Sequence, residues 1–299
     1  MNKRFKSSEL VLNSDGSVYH LKLHTNQVAD NIIVVGDPNR VSKVSSFFDN
    51  IELKVENREI HTHTGQYKGK RITVLSTGMG PDNIDIVMNE LHILAAYDIE
   101  NKRLLEHPAQ YNIIRLGTSG AYQKDIPIGS FIASEYAIGI DGVLNFYGGD
   151  KSGFENSLAD SFSVFTNWPN ILAKPYACKC SEMLMNKIAK DLNRGITLTA
   201  PGFYGPQFRN LFIPPIDLSL ETKIIDFSYN NLKVTNLEME SSALYGFGKL
   251  MNHNMLTVCL IIANRINGDF LKDYKPKINE LIEIVLTGLI SVIERKTKS

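Results

Sequence analysis

An α/β fold with a central sheet flanked by helices is predicted by three features of the sequence. Short β-branched runs alternate with stretches of helical periodicity. The first strong strand runs into a Gly-Asp-Pro turn and then a helical stretch. A 43% hydrophobic composition over 299 residues supplies apolar surface for one large core or two small ones.

The elements follow in order. Residues 32–35 form the first strand, Gly36, Asp37 and Pro38 the turn, and 39–48 a helix. Strands are expected at 51–55 and 71–76, with His61 and His63 alternating on a further strand-like stretch. Ile84, Val87, Met88, Leu91, Leu94 and Ala95 then recur at helical spacing. Further strands fall at 111–116, 130–140, 195–199, 233–237 and 256–262. Helices are expected around Ile224, over 243–250 and over 278–293, and one is expected to begin at Cys178 and Cys180. The long helix-free stretches 51–76 and 116–140 imply antiparallel pairs, hence a mixed sheet. Residues 142–175 are rich in Gly, Asn, Asp, Ser and aromatics and show no sustained period. They read as an excursion on the surface or at a subunit contact, anchored by Trp168, and not as a linker. One domain over residues 1–299 is expected.

Charge narrows the function. Thirty-two basic side chains balance thirty-two acidic ones, so no net field draws the chain to nucleic acid or an anionic membrane. Any anion must be gripped by a local cluster. The strongest apolar runs, such as 255–263, are far shorter than the roughly 20 residues of a spanning helix. Residues 1–12 are polar and basic without the apolar stretch of a secretory signal, which predicts a soluble, cytoplasmic protein. Cys178, Cys180 and Cys259 offer no second close pair, so neither structural zinc nor a disulfide framework is expected. His61 and His63 lack a third ligand nearby, and no metal site is assigned. The phosphate loop G-x-x-x-x-G-K-[ST], H-E-x-x-H and G-x-S-x-G are absent, and Gly78-Met79-Gly80 is followed by Asn83 where a dinucleotide fingerprint needs glycine.

Another constellation stands out. Gly36 closes the first strand and Arg40 lies one step inside the next helix, an arrangement suited to a phosphate oxygen. The same residues are also a common turn followed by a solvated arginine. Arg115 sits within the apolar run Ile113–Leu116, ahead of Gly117, Thr118, Ser119 and Gly120. A buried charge demands a partner, which is either a phosphate or a carboxylate. With no acidic residue adjacent in sequence, phosphate is the stronger expectation. Arg58 reads first as a surface pair with Glu59. Glu240, between a strand and a helix, can accept from the vicinal diol of a ribose or simply favour a helix start.

The ordered blocks resolve these alternatives. They are Tyr19-His20-Leu21, GDPNR at 36–40, Asn57-Arg58-Glu59, STGMG at 76–80, RLGTSGA at 115–121, Gly202 through Arg209, and LEMESSAL at 237–244. In them the sequence resembles the nucleoside phosphorylases of the uridine and purine phosphorylase superfamily, most of all its uridine-cleaving members. Four of the ten arginines, Arg40, Arg58, Arg115 and Arg209, lie in these blocks.

The resemblance implies a partly barrel-like sheet and reversible phosphorolysis of uridine to uracil and ribose 1-phosphate in pyrimidine salvage. Phosphate, a co-substrate and not a cofactor, is held by Gly36, Arg40, Arg115 and Thr118, with Arg58 supplied by a neighbouring subunit. Ribose is held by Met239 and Glu240, with the neighbour's His20 near the 5′-hydroxyl. Phe203 stacks on the base while Gln207 and Arg209 read it. Arg40, Arg115, Arg209 and Glu240 carry the catalytic weight. Sites shared in this way require a homodimer or hexamer. Glu59 matches a residue near the family's monovalent-cation site, but Asn83 replaces the serine, which speaks against potassium. A purine phosphorylase is the nearest rival; it would want an aspartate where Asn264 stands. A non-catalytic nucleoside-binding protein on the same fold is the alternative from another class.

Overall fold

The computed structural model describes residues 4–296. The N-terminal stretch therefore lies outside the described residues at its first three positions. In chain order, β1 (Asn31–Val35) leads through α1 (Pro38–Ser45) into β2 (Asn50–Asn57), β3 (Ile60–Tyr67) and β4 (Lys70–Ser76). Next come α2 (Pro81–Ala96), the short hairpin of β5 (Tyr97–Asp98) and β6 (Arg103–Leu104), then β7 (Asn112–Ala121) and β8 (Phe131–Gly139). The middle of the chain forms α3 (Asn156–Thr166), β9 (Tyr176–Lys179), α4 (Glu182–Ile188) and β10 (Asn193–Thr199). It ends with α5 (Ser219–Asp226), β11 (Ser228–Tyr229), β12 (Leu232–Glu238), α6 (Ser241–Leu250), β13 (Asn254–Asn264), β14 (Asp269–Phe270) and α7 (Lys275–Lys296).

All five residues of β1 are buried, as a β-branched run covered on both faces requires. It pairs in parallel with β4 and β7, and the sheet continues through antiparallel β3 and β2. On the other side the order runs β7, β13, β8, β10, β12. β12 then pairs back onto β7 through Asn236 with Ala121 and Leu237 with Gly120. These five strands close into a barrel-like ring within a single mixed sheet, in agreement with the expected fold class. Closure brings the carboxyl ends of β7 and β12 together, the position where ligands gather in α/β sheets.

Two expectations are corrected. Residues 142–175 are not aperiodic throughout, since α3 lies inside them and buries Leu158, Ala159 and Phe162. Its exposed side mixes Asn156, Ser157 and Asp160 with the apolar Val164 and Phe165, so the apolar period is blurred. Phe162 meets Phe227 edge-on at 5.3 Å, tying the segment to the core, while the indole N–H of Trp168 donates to Ala173 O at 3.0 Å. Cys178 does not begin a helix but lies in β9, opposite Ala137 of β8. The helix starts later, at Glu182, with the Ser181 side chain accepting from the Leu184 N–H. Both cysteines are buried, as small interior residues.

A buried histidine pair makes the fold acid-sensitive. The Tyr111 N–H donates to Nδ1 of His253 at 3.2 Å, which leaves Nε2 to face Nδ1 of His92 at 3.3 Å. Burial, reinforced by His92, lowers the His253 pKa from 6.5 to about 4. Between these values the unfolded chain binds the proton and the folded one does not, so stability rises with pH through that window. The contribution, on the order of 3 kcal/mol, is present above pH 6.5 and lost towards pH 4. Urea midpoints at pH 4.5 and pH 7 are expected to differ more in the wild type than in His253→Gln.

Candidate active site

A cavity of about 880 Å³ opens where the ring closes. Nine of the eleven predicted site residues line it: Gly36, Arg40, Arg115, Thr118, Phe203, Gln207, Arg209, Met239 and Glu240. Arg115 and Thr118 are delivered by β7 itself, Arg40 by the first turn of α1, and the others by the turns that follow β1, β10 and β12. β1 ends before Gly36, and Asp37 caps α1 by accepting from the Asn39 N–H at 2.9 Å, which seats Arg40 in the first turn. Arg40 Nη1 donates to Leu116 O at 3.3 Å, and among the described residues no ion pair offsets its charge. Burial and then the like charge of Arg115 lower the Arg40 pKa below the ordinary arginine value. Two converging guanidiniums of this kind favour an anion between them.

Arg115 departs from expectation. Its Nη2 pairs with the Glu240 carboxylate and lies 3.2 Å from Glu238 Oε2, while Nη1 donates to Cys259 Sγ at 3.2 Å. The carboxylate partner that seemed absent from the local sequence arrives from β12, more than a hundred residues away. Burial opposes the charge on Arg115, and Glu238 and Glu240 overcome it, raising the pKa above the ordinary arginine value. Gly117 makes room for this fork, because a Cβ there would lie 1.9 Å from Arg115 Nη1. Thr118 is half-buried against the cavity, whereas the neighbouring Ser119 hydroxyl accepts from Asn236 Nδ2 at 2.8 Å.

Glu240 also accepts from the Gly80 N–H at 2.8 Å, which is how the STGMG turn joins the site. Gly80 takes φ +99°, a conformation open to glycine at no steric cost. Burial pushes the Glu240 carboxyl up and Arg115 opposes it. Glu238 is the residue the motif reading missed. Its carboxylate accepts from the Thr199 hydroxyl at 2.6 Å and from the N–H groups of Glu240 and Ser241 at 3.0 Å. It thus orders the start of α6 and supplies Arg115 with a second counter-charge. The signal was a pair of carboxylates two residues apart where a strand hands over to a helix.

Phe203, Gln207 and Arg209 occupy the turn that follows β10. Arg209 stacks on the Phe203 ring, 3.7 Å from its centroid, and donates to the Phe203 carbonyl and to Gln207 Oε1, the latter at 2.8 Å. Phe203 is 51% exposed, while Gln207 is buried. Ile262, Ala263 and Leu237 add apolar surface to the cavity.

Arg58 and His20 are the two predicted residues that do not line this cavity. They lie together elsewhere: the Arg58 guanidinium sits 5.8 Å from the Tyr19 ring centroid, and Asn57 Nδ2 donates to His20 O at 2.8 Å. The ring of His20 meets Glu90 Oε1 at 2.6 Å, and Glu90 also accepts from the Leu21 N–H at 2.8 Å. Arg58 does not form the surface pair with Glu59 suggested by their adjacency, because Glu59 turns into the cavity beside Asn83. Asn264 is buried and lies off the cavity, where it donates to the carbonyls of Gln123 and Ile126 at 2.9 and 2.8 Å.

The sequence pattern of the phosphorylase superfamily matches residues 30–291. The chain belongs to that superfamily. Membership carries the expected enzyme class, pentosyl transfer, with it. A uridine phosphorylase of Thermococcus kodakarensis is 29% identical over 273 residues, covering 90% of this chain and 86% of its own. A DeoD-type purine nucleoside phosphorylase of Bacillus subtilis is 26% identical over 271 residues, covering 89% and 97%. Among solved structures, a Trypanosoma brucei nucleoside phosphorylase with uridine phosphorylase activity superposes with TM-score 0.82 at 29% identity, over 94% of this chain and 99% of that one. Among the described residues, no helix is long and apolar enough to cross a membrane.

Proposed function

We propose that the protein is a uridine phosphorylase that converts uridine and inorganic phosphate into uracil and ribose 1-phosphate, with pyrimidine salvage in the cytoplasm as its setting. The observation that carries this reading is the joining, in one cavity, of Arg40 in the first turn of α1 and Arg115 within β7 with the Phe203–Gln207–Arg209 turn. Gln207 offers a donor and an acceptor to the N–H and carbonyl edge of uracil, and Arg209 a guanidinium to its oxygen. Asn264, held in a structural role, supplies no acid to a purine imidazole.

In the proposed reaction Arg40, Arg115, Thr118 and the Gly36 backbone place phosphate against the anomeric carbon. The phosphate oxygen bonds to that carbon as the bond to the uracil nitrogen breaks. Negative charge passes to uracil, where Gln207 and Arg209 stabilise it, while phosphate stabilises the ribosyl cation. Met239 and Glu240 hold the ribose hydroxyls. For Glu240 to do so, it exchanges part of its bond to Arg115 for the diol as phosphate engages Arg115. Arg58 and His20, clustered away from their own cavity, serve a neighbouring copy, which makes the active form at least a dimer. No cofactor enters this scheme, in which inorganic phosphate is the co-substrate.

The test is product analysis from uridine, thymidine and inosine, each with and without inorganic phosphate. Uracil and ribose 1-phosphate appearing only with phosphate are expected. Inosine cleavage alone would keep the phosphate site and overturn the base assignment. No turnover of any nucleoside would favour a binding protein.

A further inference from the structure

The structure assigns a positioning role to Glu221, which acts through Arg265 and Tyr122 to hold the turn that reads the base; the assignment rests on the proposed roles of Gln207 and Arg209. That turn needs an external hold. Phe203 and Tyr204 are 51% and 59% exposed, yet Gln207 within it is buried, and Phe208 takes the left-handed conformation with φ +59°. Backbone bonds from the N–H groups of Gln207 and Arg209 to Tyr204 O, each 3.0 Å, close the turn on itself without fixing it to the ring.

Attachment comes through the carbonyl of Gln207. It accepts from Arg265 Nη1 at 3.0 Å and, as the longer branch of a bifurcated bond, from the Tyr122 hydroxyl at 3.4 Å. Both donors are themselves tied to one oxygen, Glu221 Oε1, at 3.0 Å from Arg265 Nη2 and 2.9 Å from Tyr122 Oη. The three side chains come from three places: just past β7, the first turn of α5, and just past β13. Tyr122 is fully buried, and the Arg265–Glu221 pair is largely covered at 18% and 27% exposure. The pair is therefore less screened than an ordinary surface salt bridge.

Charge adds a second reason. Burial, and after it the charge of Arg265, lowers the Arg209 pKa. Two guanidiniums thus approach one another beside the turn, and Glu221 offsets them. Removing its carboxylate leaves the Arg265 guanidinium with the Gln207 carbonyl as its one hydrogen-bond acceptor among the described residues and frees it to shift towards the base pocket or out of it. The Gln207 carbonyl, and with it the amide that faces the base, loses its fixed donor. The phosphate end is independent, because Arg115 is held by Glu238, Glu240 and Cys259 and Arg40 by Leu116.

The test is steady-state kinetics of Glu221→Ala, Glu221→Gln and Tyr122→Phe, varying nucleoside and phosphate separately, with whichever nucleoside the wild type cleaves. Glu221→Ala is expected to raise the nucleoside KM and lower kcat/KM roughly tenfold to a hundredfold, the range for hydrogen bonds to charged groups. The phosphate KM should stay within about twofold, since none of the phosphate residues loses a partner. Glu221→Gln, which keeps an acceptor, and Tyr122→Phe, which keeps the ion pair, should show the same split in smaller measure. If Glu221→Ala does not fold, these two decide. Equal shifts in both KM values, or wild-type kinetics in folded variants, overturn the positioning role. Gln207→Ala separates the two levels of inference. If it leaves the nucleoside KM unchanged, the base reading fails and the role built on it falls. If it raises that KM while Glu221 and Tyr122 variants do not, the positioning role alone falls.

Discussion

Arg115→Ala is expected to lower phosphorolysis on the order of a thousandfold in kcat/KM, the scale for removing a preorganised charged donor from a transition state. The same substitution strips Glu238 and Glu240 of their shared cation inside the ring. Breaking a buried pair from one side costs about 3–5 kcal/mol. A drop in melting temperature should therefore accompany the lost activity. Arg115→Lys separates the two effects. It restores a positive charge near the carboxylates but not the planar fork that bridges carboxylate and phosphate, so it should fold better than Arg115→Ala and remain roughly a hundredfold impaired. Thermal denaturation and initial rates on the same samples check this. Folded Arg115→Ala with near-normal turnover would show that Arg115 serves only the ion pair and that phosphate is held elsewhere.

Gln207→Ala should act on the other substrate. A site built to hydrogen-bond a polar edge loses strongly when one partner is deleted, because the remaining groups stay desolvated and unpaired. Here the deleted amide also takes from Arg209 Nη1 its acceptor at 2.8 Å and leaves it the Phe203 carbonyl alone. A rise in the uridine KM of roughly thirtyfold is expected, with the phosphate KM unchanged within about twofold. Initial-rate measurements at varied uridine and phosphate give both. Equal shifts would mean that Gln207 supports the cavity as a whole and does not read the base.

The parts of the site legible beforehand share one property: their meaning is local. GDPNR is a strand end, a helix cap and an arginine within five residues, and α1 forms with Asp37 as its cap. STGMG places Gly80 where the backbone turns with positive φ and presents its N–H to Glu240. The parallel strands announced themselves through β-branched runs, and α2 and α7 through apolar residues at helical spacing. α3 escaped because apolar Val164 and Phe165 stand on its exposed side beside the buried Leu158, Ala159 and Phe162, which blurs the period. β9 escaped because four residues are too short to display an alternation.

Local chain chemistry was thus enough for the α/β class and for most strands and helices, while the residues that wall the cavity were picked out by the ordered blocks shared with the nucleoside phosphorylases. The partners of those residues were decided only by closure of the ring. Pairing of Leu237 with Gly120 carries Glu238 and Glu240 to Arg115, turning a lone buried arginine into one paired with two carboxylates. The ends of β7 and β13 and the first turn of α5 likewise bring Tyr122, Arg265 and Glu221 together behind Gln207. Burial makes an unpaired charge costly, so each buried arginine demanded a partner, but a demand for charge does not say which distant carboxylate meets it. That depends on strand register, which is set by the packing of the whole sheet and not by the neighbours of any one residue.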